Sequence, residues 1–491
     1  MKKTTRVLVL CMMLQLFIPL LFTNQAKSSP MDGGITDTIP PSAPTLRLID
    51  KTSDQLELAW TTATDNIGVV ECQVYKDDAV VTTVTYSTYR TSVRGLISGT
   101  TYSFTVKAKD AAGNVSEPSN AVTVNGKAAT LESRSTISMG KFNAFHTLAV
   151  KSDHTVWAWG DGKFMLDKPE GSTLTPVQIP DLSDISSVST GQDHSLALKQ
   201  DGTVWAWGNN ASGQLGDGTT KSRLVPEPIH GLSDIIAIEA GQQHSLALKK
   251  DGTVWAWGLN AYGQIGDGST KNRVTPVQVT GANSITSIAA GAFHSMAVKS
   301  DGTVLVWGFN AYGQLGDGTA TNRTTPVLLK GLDNVAALSG GLYHSLALKQ
   351  DGTVWTWGYN GEGEPGDGTT TNRLVPVQVE GLSSVTQVSA GGLHSMILKS
   401  DGSVWVWGYN GYGQLGDGTK EARTLPTKVT TNTAISSIST GYMSSSALSQ
   451  QGFILSWGLN DYGQLGNGTQ MDATSPLETS TLSSEETNNT H

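Results

Sequence analysis

Six histidines stand in register along this chain: His146, His194, His244, His294, His344 and His394. Each opens a line such as "HSLALKQDGTVWAWG" (residues 194–208), which also carries two tryptophans. Imidazoles at a fixed interval are raw material for a zinc site, and paired tryptophans for an aromatic binding surface. Zinc needs three or four ligands converging at about 2 Å, whereas each of these histidines belongs to its own repeat unit. His194 also shares a strand face with Leu196 and Leu198, by the two-residue period of extended chain. The residues therefore read as core imidazoles hydrogen-bonded to backbone. Ser444 takes the histidine's place in the last copy, a change that packing tolerates more easily than a ligand ring.

The loop "GQLGDGT" raises calcium, with Asp217, Asp267, Asp317, Asp367 and Asp417 in register. A calcium cage gathers several carboxylates, and this loop offers one, among glycines. An arginine follows each aspartate by six residues (Arg223, Arg273, Arg323, Arg373, Arg423), so a local ion pair is the simpler expectation. No nucleophile elbow, phosphate loop or metalloprotease helix is present. No catalytic, cofactor-binding or metal-binding residue is assigned, and no enzyme is expected.

Function is sought instead where the copies disagree. A two-residue slot between the fixed glycine and histidine reads Gln192-Asp193, Gln242-Gln243, Ala292-Phe293, Leu342-Tyr343, Gly392-Leu393 and Tyr442-Met443. The residue after "WG" varies too: Asn209, Leu259, Phe309, Tyr359, Tyr409 and Leu459. Aromatics and methionine beside polar groups are what protein-binding patches use. The candidate partner-binding set is Gln192, Asp193, Asn209, Gln242, Gln243, Phe293, Phe309, Tyr343, Tyr359, Leu393, Tyr409, Tyr442 and Met443. Tyr262, Tyr312, Tyr412 and Tyr462 recur too regularly to be singled out.

These residues need a scaffold of short strands. "WG" recurs from Trp159 to Trp457, first after 48 residues and then every 50. Within a unit, "DIIAIEAG", "HSLALKK", "TVWAWG" and "VTPVQV" read as four strands, and Asp251-Gly252 as a two-residue type I′ turn. Seven such units without helical periodicity predict a seven-bladed β-propeller over 128–480. Trp205 and Trp207 share one face, which predicts a bulky blade face packing on a small one. The last unit ends in "SPLETS" with no first-strand pattern after it, and a matching "STISMG" stands before the first unit. With the resemblance named below, this implies that "STISMG" joins the last blade and latches the ring.

Ahead of the repeats, residues 41–125 alternate with period two between turn signals, as in an immunoglobulin-like β-sandwich. Leu56, Leu58 and Trp60 share a face, and Cys72 is expected to be a buried, inert thiol. Residues 1–28 read as a secretory signal, cleaved after Ala26 or Ser28, because the apolar run from Val7 to Phe22 is short of the roughly 20 residues a spanning helix needs. Residues 29–40 form a linker and 481–491 a polar, disordered tail. Removing the signal leaves Cys72 as the only cysteine, so stability must come from the core. The net charge of −9 argues against a nucleic-acid partner.

Two resemblances follow. "G-x-x-H-S-x-A-L-K-x-D-G-T-V-W-x-W-G" with "G-Q-L-G-D-G-T" resembles the regulator of chromosome condensation repeat, whose members form seven-bladed propellers. Trp60, Leu96, Tyr102 and "AKDAAGNVS" resemble a bacterial fibronectin type III module, departing at Cys72, where such modules often carry an aromatic residue. Nuclear members of the repeat family act in guanine-nucleotide exchange, an activity that an export signal puts out of reach. The resemblance to a secreted β-lactamase-binding propeller implies a scaffold that binds proteins through loops on one face. The chain is therefore expected to be a secreted or cell-surface monomer, without cofactor and without a membrane span in its mature form. Its propeller face would bind an extracellular protein or, alternatively, a cell-wall glycan.

Overall fold

The computed structural model describes residues 37–51, 55–94, 101–125, 137–151, 153–163 and 171–479. The expected signal, most of the linker and the tail lie outside them. Every element described is a β-strand, and none of the described residues forms a helix long and apolar enough to cross a membrane. The chain divides into two compact units, 1–129 and 130–491.

The first unit holds a three-stranded sheet of Leu46–Lys51, Gln55–Trp60 and Arg90–Arg94. Its second sheet runs in the order Ala79–Thr85, Val69–Lys76, Thr101–Asp110, Val122–Asn125. Alternation puts Leu56, Leu58 and Trp60 of one sheet and Cys72, Val74, Phe104 and Val106 of the other into a single core. Burial pushes the Cys72 thiol pKa up, as expected for an inert cysteine.

The second unit is seven four-stranded antiparallel sheets, each built from four strands consecutive in sequence. Blades 1 to 7 span 137–178, 185–228, 235–278, 285–328, 335–378, 385–428 and 435–478. The expected latch is not formed. Ile137–Met139 pairs with His146–Val150 inside blade 1, and blade 7 is complete without it. Seven whole copies leave no strand over, so the ring closes by contact: Tyr442 N–H donates to Gly140 O at 2.8 Å, and Gly468 N–H to Leu174 O at 2.9 Å.

Two local expectations are also corrected. The central hairpin is not a two-residue turn: Gly252 N–H bonds Lys249 O and Lys249 N–H bonds Thr253 O, with only Gly252 at positive φ (81°). That is a three-residue loop, in which glycine takes the left-handed position and Asp251 accepts from Thr253 N–H and hydroxyl. Nor do blades have one bulky and one small face. Trp207 lies opposite Ser195 and Trp205 opposite Ala197, while Leu196 lies opposite Ala206. Each face mixes sizes, so the Leu196/Ala206 face of blade 2 receives Trp257 and Ala247 of blade 3. Each outermost strand carries a proline (Pro176, Pro226, Pro276, Pro326, Pro376, Pro426, Pro476), which removes a donor from an edge that could otherwise pair with another chain.

Candidate functional site

Antiparallel order brings two connections of each blade to the same end: the turn before the histidine and the long loop after "WG". They are joined directly. Asn209 N–H donates to Asp193 O at 2.7 Å, Phe309 to Phe293 at 2.9 Å and Tyr359 to Tyr343 at 2.8 Å. Both variable positions therefore share one surface.

What holds that surface is the line of repeated residues. His294 Nε2 lies 2.9 Å from Ser345 Oγ of the next blade, and Ser345 donates onward to Gln314 O at 2.9 Å. Trp357 Nε1–H donates to the same carbonyl at 2.8 Å. Since the serine proton goes to the carbonyl, the imidazole donates to the serine oxygen from Nε2–H. The motif repeats as His194–Ser245, His244–Ser295, His344–Ser395 and His394–Ser445. The histidine's partner is thus a hydroxyl across the blade seam, not the expected backbone group. Burial drives these histidines far below their usual pKa, to about 3.

The glycine-rich loop is the other half of the seam. Gly316 sits at φ 69° with its α-carbon against the Trp357 ring, where a β-carbon would come within 2.9 Å. Asp317 accepts from Arg323 Nε at 2.8 Å, from Thr319 N–H and hydroxyl, and from Asn310 Nδ2. Burial raises the Asp317 pKa, but these donors outweigh it and hold the carboxyl below its usual value. The expected Asp–Arg pair is present in all five copies, and its oxygens are already engaged.

On this frame the first slot positions form the inner rim. Gln192 N–H donates to Gln242 O, Gln242 to Ala292 O, Ala292 to Gly341 O and Gly392 to Gly441 O, at 3.0–3.1 Å. Gln192, Asp193, Asn209, Gln242 and Gln243 make a polar sector: Gln242 Nε2 donates to Gln192 Oε1 (2.8 Å) and Ser212 Oγ to Gln243 Oε1 (3.2 Å). Burial raises the Asp193 pKa, against the pull of Lys163 and with the help of Asp161.

Blades 3 to 5 carry an aromatic arc. Tyr262 stands 5.4 Å from Phe293 and 4.8 Å from Phe309 between ring centroids. Phe309 is 6.1 Å from Tyr343, which is 5.0 Å from Tyr312 and 6.4 Å from Tyr359. Six rings are thereby continuous. Phe293, Phe309, Tyr343 and Tyr359 fall into it as one cluster. Tyr409 instead pairs with Tyr412, and Tyr442 with Phe145, itself stacked at 4.5 Å on Tyr462. Leu393 is half-buried, and Met443 is buried, its sulfur 3.3 Å from Gln414 Nε2. Tyr262 and Tyr312, too regular to stand out in sequence, both bridge neighbouring slots. Their signal is in the combination: each is followed in the next copy by an aromatic residue both in the slot and after "WG", Phe293 and Phe309 for Tyr262, Tyr343 and Tyr359 for Tyr312.

Residues 72–397 match the RCC1-like domain, and 401–448 and 451–487 match the regulator of chromosome condensation (RCC1) repeat. Human WBSCR16 is similar in structure, with a TM-score of 0.58 and 26% identity over 63% of this chain and 86% of that one. Yeast RCC1 (Prp20) bound to Kap60 gives a TM-score of 0.60 at 24% identity, over 71% and 88%, and speaks to fold alone. Among curated proteins, Chitinase A1 of Niallia circulans is 50% identical over 95 residues, 19% of this chain and 13% of its own length. Chitinase Chi52 of Paenibacillus xylanexedens is 41% identical over 108 residues, 22% and 20%. The chain thus spans a fifth or less of these curated relatives.

Proposed function

This chain belongs to the regulator of chromosome condensation repeat family, and from that premise we propose that it is a secreted, non-catalytic binding protein whose propeller presents the loop end of blades 3 to 5 to an extracellular protein. The observation that carries this is the six-ring arc from Tyr262 to Tyr359. Clustered aromatics backed by a rigid scaffold are what interfaces use as anchors, and the seams fix their backbone. A polar sector beside the arc suits the rim of such a patch.

The second reading, a glycan partner, draws on the names of the relatives matched over short stretches, which include chitinases and Exoglucanase A of Cellulomonas fimi. Sugar stacking favours flat, exposed ring faces. In the arc the rings meet edge to face or tilted, at 75° for Tyr312–Tyr359 and 51° for Tyr312–Tyr343, a texture better suited to interdigitating side chains. The two readings part in one experiment. The full chain and its Phe309→Ala/Tyr343→Ala/Tyr359→Ala variant are incubated with culture supernatant, purified cell wall, chitin and cellulose. Retention of a defined protein by the parent alone supports the first reading, and retention on polymer by the parent alone the second. Binding that survives the triple substitution overturns the assignment of this face.

A further inference from the structure

Three carboxylates from distant parts of the N-terminal unit converge. Asp37 precedes the first strand, Asp65 lies in the connection between Gln55–Trp60 and Val69–Lys76, and Asp110 ends Thr101–Asp110. One oxygen of each lies within 4.8 Å of the others. Like charges gathered this closely repel, and a cluster of this kind is often no more than a solvated acidic surface.

Here Asp37 and Asp65 keep part of their surface in solvent, but the oxygens that face the cluster do not. Asp37 Oδ2 and Asp65 Oδ1 are both removed from solvent without any hydrogen-bond partner, and the whole of Asp110 is 2% exposed. A buried carboxylate oxygen with nothing to pair with is a cost that folding does not sustain unaided. The remaining oxygens are held in place. Asp37 Oδ1 accepts from Ile39 N–H and Asn66 Nδ2, both at 3.1 Å. Asp65 Oδ2 accepts from Ile67 N–H at 2.9 Å and Gly68 N–H at 2.7 Å. Asp110 is gripped at both oxygens by Asn114, backbone N–H at 2.8 Å and side-chain amide at 2.7 Å. The same amide reaches Asp37 O at 3.0 Å, tying the Asp110 strand end to the segment around Asp37. These donors act as an outer shell that aims carboxylates, as around bound metals. Among the described residues no lysine or arginine forms an ion pair with any of the three.

We propose that Asp37, Asp65 and Asp110 bind one divalent cation, calcium in preference to magnesium. All the donors are hard oxygens, and an upper separation of 4.8 Å suits the longer bonds of calcium, roughly 2.3–2.6 Å, better than the roughly 2.0–2.1 Å of magnesium, with water completing the shell. The ion would clip the segment around Asp37 to the body of the unit, making the approach to the first strand rigid only when calcium is present.

The test uses the full chain, stripped with chelator and titrated calorimetrically with calcium chloride and then magnesium chloride. Asp37→Asn and Asp65→Asn are run in parallel, and circular dichroism checks that each folds. Asp37 lies before the first strand, so its variant preserves the core. The expected result is calcium uptake by the parent, tighter than magnesium, weakened about tenfold or more in both variants, with a calcium-dependent rise in melting temperature that both variants lose. No uptake by the parent, tighter binding of magnesium, or uptake unchanged in folded variants would overturn the site.

Discussion

His294 of blade 4 and Ser345 of blade 5 meet at 2.9 Å across the blade seam. Through the serine's own bond to Gln314 O, that single contact links a strand, the next strand and the returning loop.

Ser345→Ala leaves the buried His294 Nε2–H without an acceptor and removes one of two donors from Gln314 O. An unsatisfied buried donor costs about 1–3 kcal/mol. Denaturant unfolding followed by tryptophan fluorescence should show a lower midpoint for the propeller transition. An unchanged midpoint would mean that the seam bonds contribute nothing net.

Acid should loosen the ring before it protonates the carboxylates. The seam histidines have folded pKa values near 3 against an ordinary 6.5, so the folded state refuses protons that the unfolded state accepts. Their contribution is complete above pH 6.5 and declines as pH falls toward 3. Each histidine adds a slope of about 1.4 kcal/mol per pH unit in that window. Melting temperature should fall steadily from pH 6.5 to 4. His294→Ser, which copies Ser444 of blade 7, should make the fall shallower.

Glu364 stands where other copies have glutamine. It is fully buried, with Oε2 accepting from Glu362 N–H at 2.9 Å and Oε1 lacking a partner. Burial raises its pKa to about 7 from 4.5. With the folded value above the unfolded one, stability is greatest below pH 4.5 and is lost as pH rises through 7. Glu364→Gln should therefore stabilise the propeller at pH 8 by roughly 3 kcal/mol and make no difference at pH 4. A gain independent of pH would point to packing instead.

Binding should depend on position around the ring. Tyr312 lies within the aromatic arc, while the ring of the equivalent Tyr412 pairs, among the described residues, with Tyr409 of its own blade. Once a partner is in hand, Tyr312→Ala should cost about 2 kcal/mol of affinity, as anchor residues do, and Tyr412→Ala much less. Equal losses, measured by surface-based kinetics, would place the contact elsewhere on the face.

The repeat period, the four strands per unit and the local role of the aspartates are legible because they depend on residues near one another in sequence. Asp317 and Arg323 are six apart and pair as their spacing implies. The expected latch fails on the same ground. Ile137–Met139 carries the same pattern as every other first strand, and a pattern cannot say which sheet a strand joins. The histidine's partner is hidden because Ser345 is 51 residues away, although a serine follows its own histidine directly in most copies.

Alternation, turn chemistry and periodicity are local physics, so the class of the fold, the number of units and the positions that repeat can all be read along the chain. Which variable positions meet is a different matter, set by closure of the ring. That geometry brings Tyr262, Phe309 and Tyr359 together from three units while leaving Tyr409 and Tyr442 in separate pairs. Packing of the two N-terminal sheets likewise folds Asp37, Asp65 and Asp110 into one cluster. Proximity between residues far apart in the chain comes from packing and closure, which no single unit encodes.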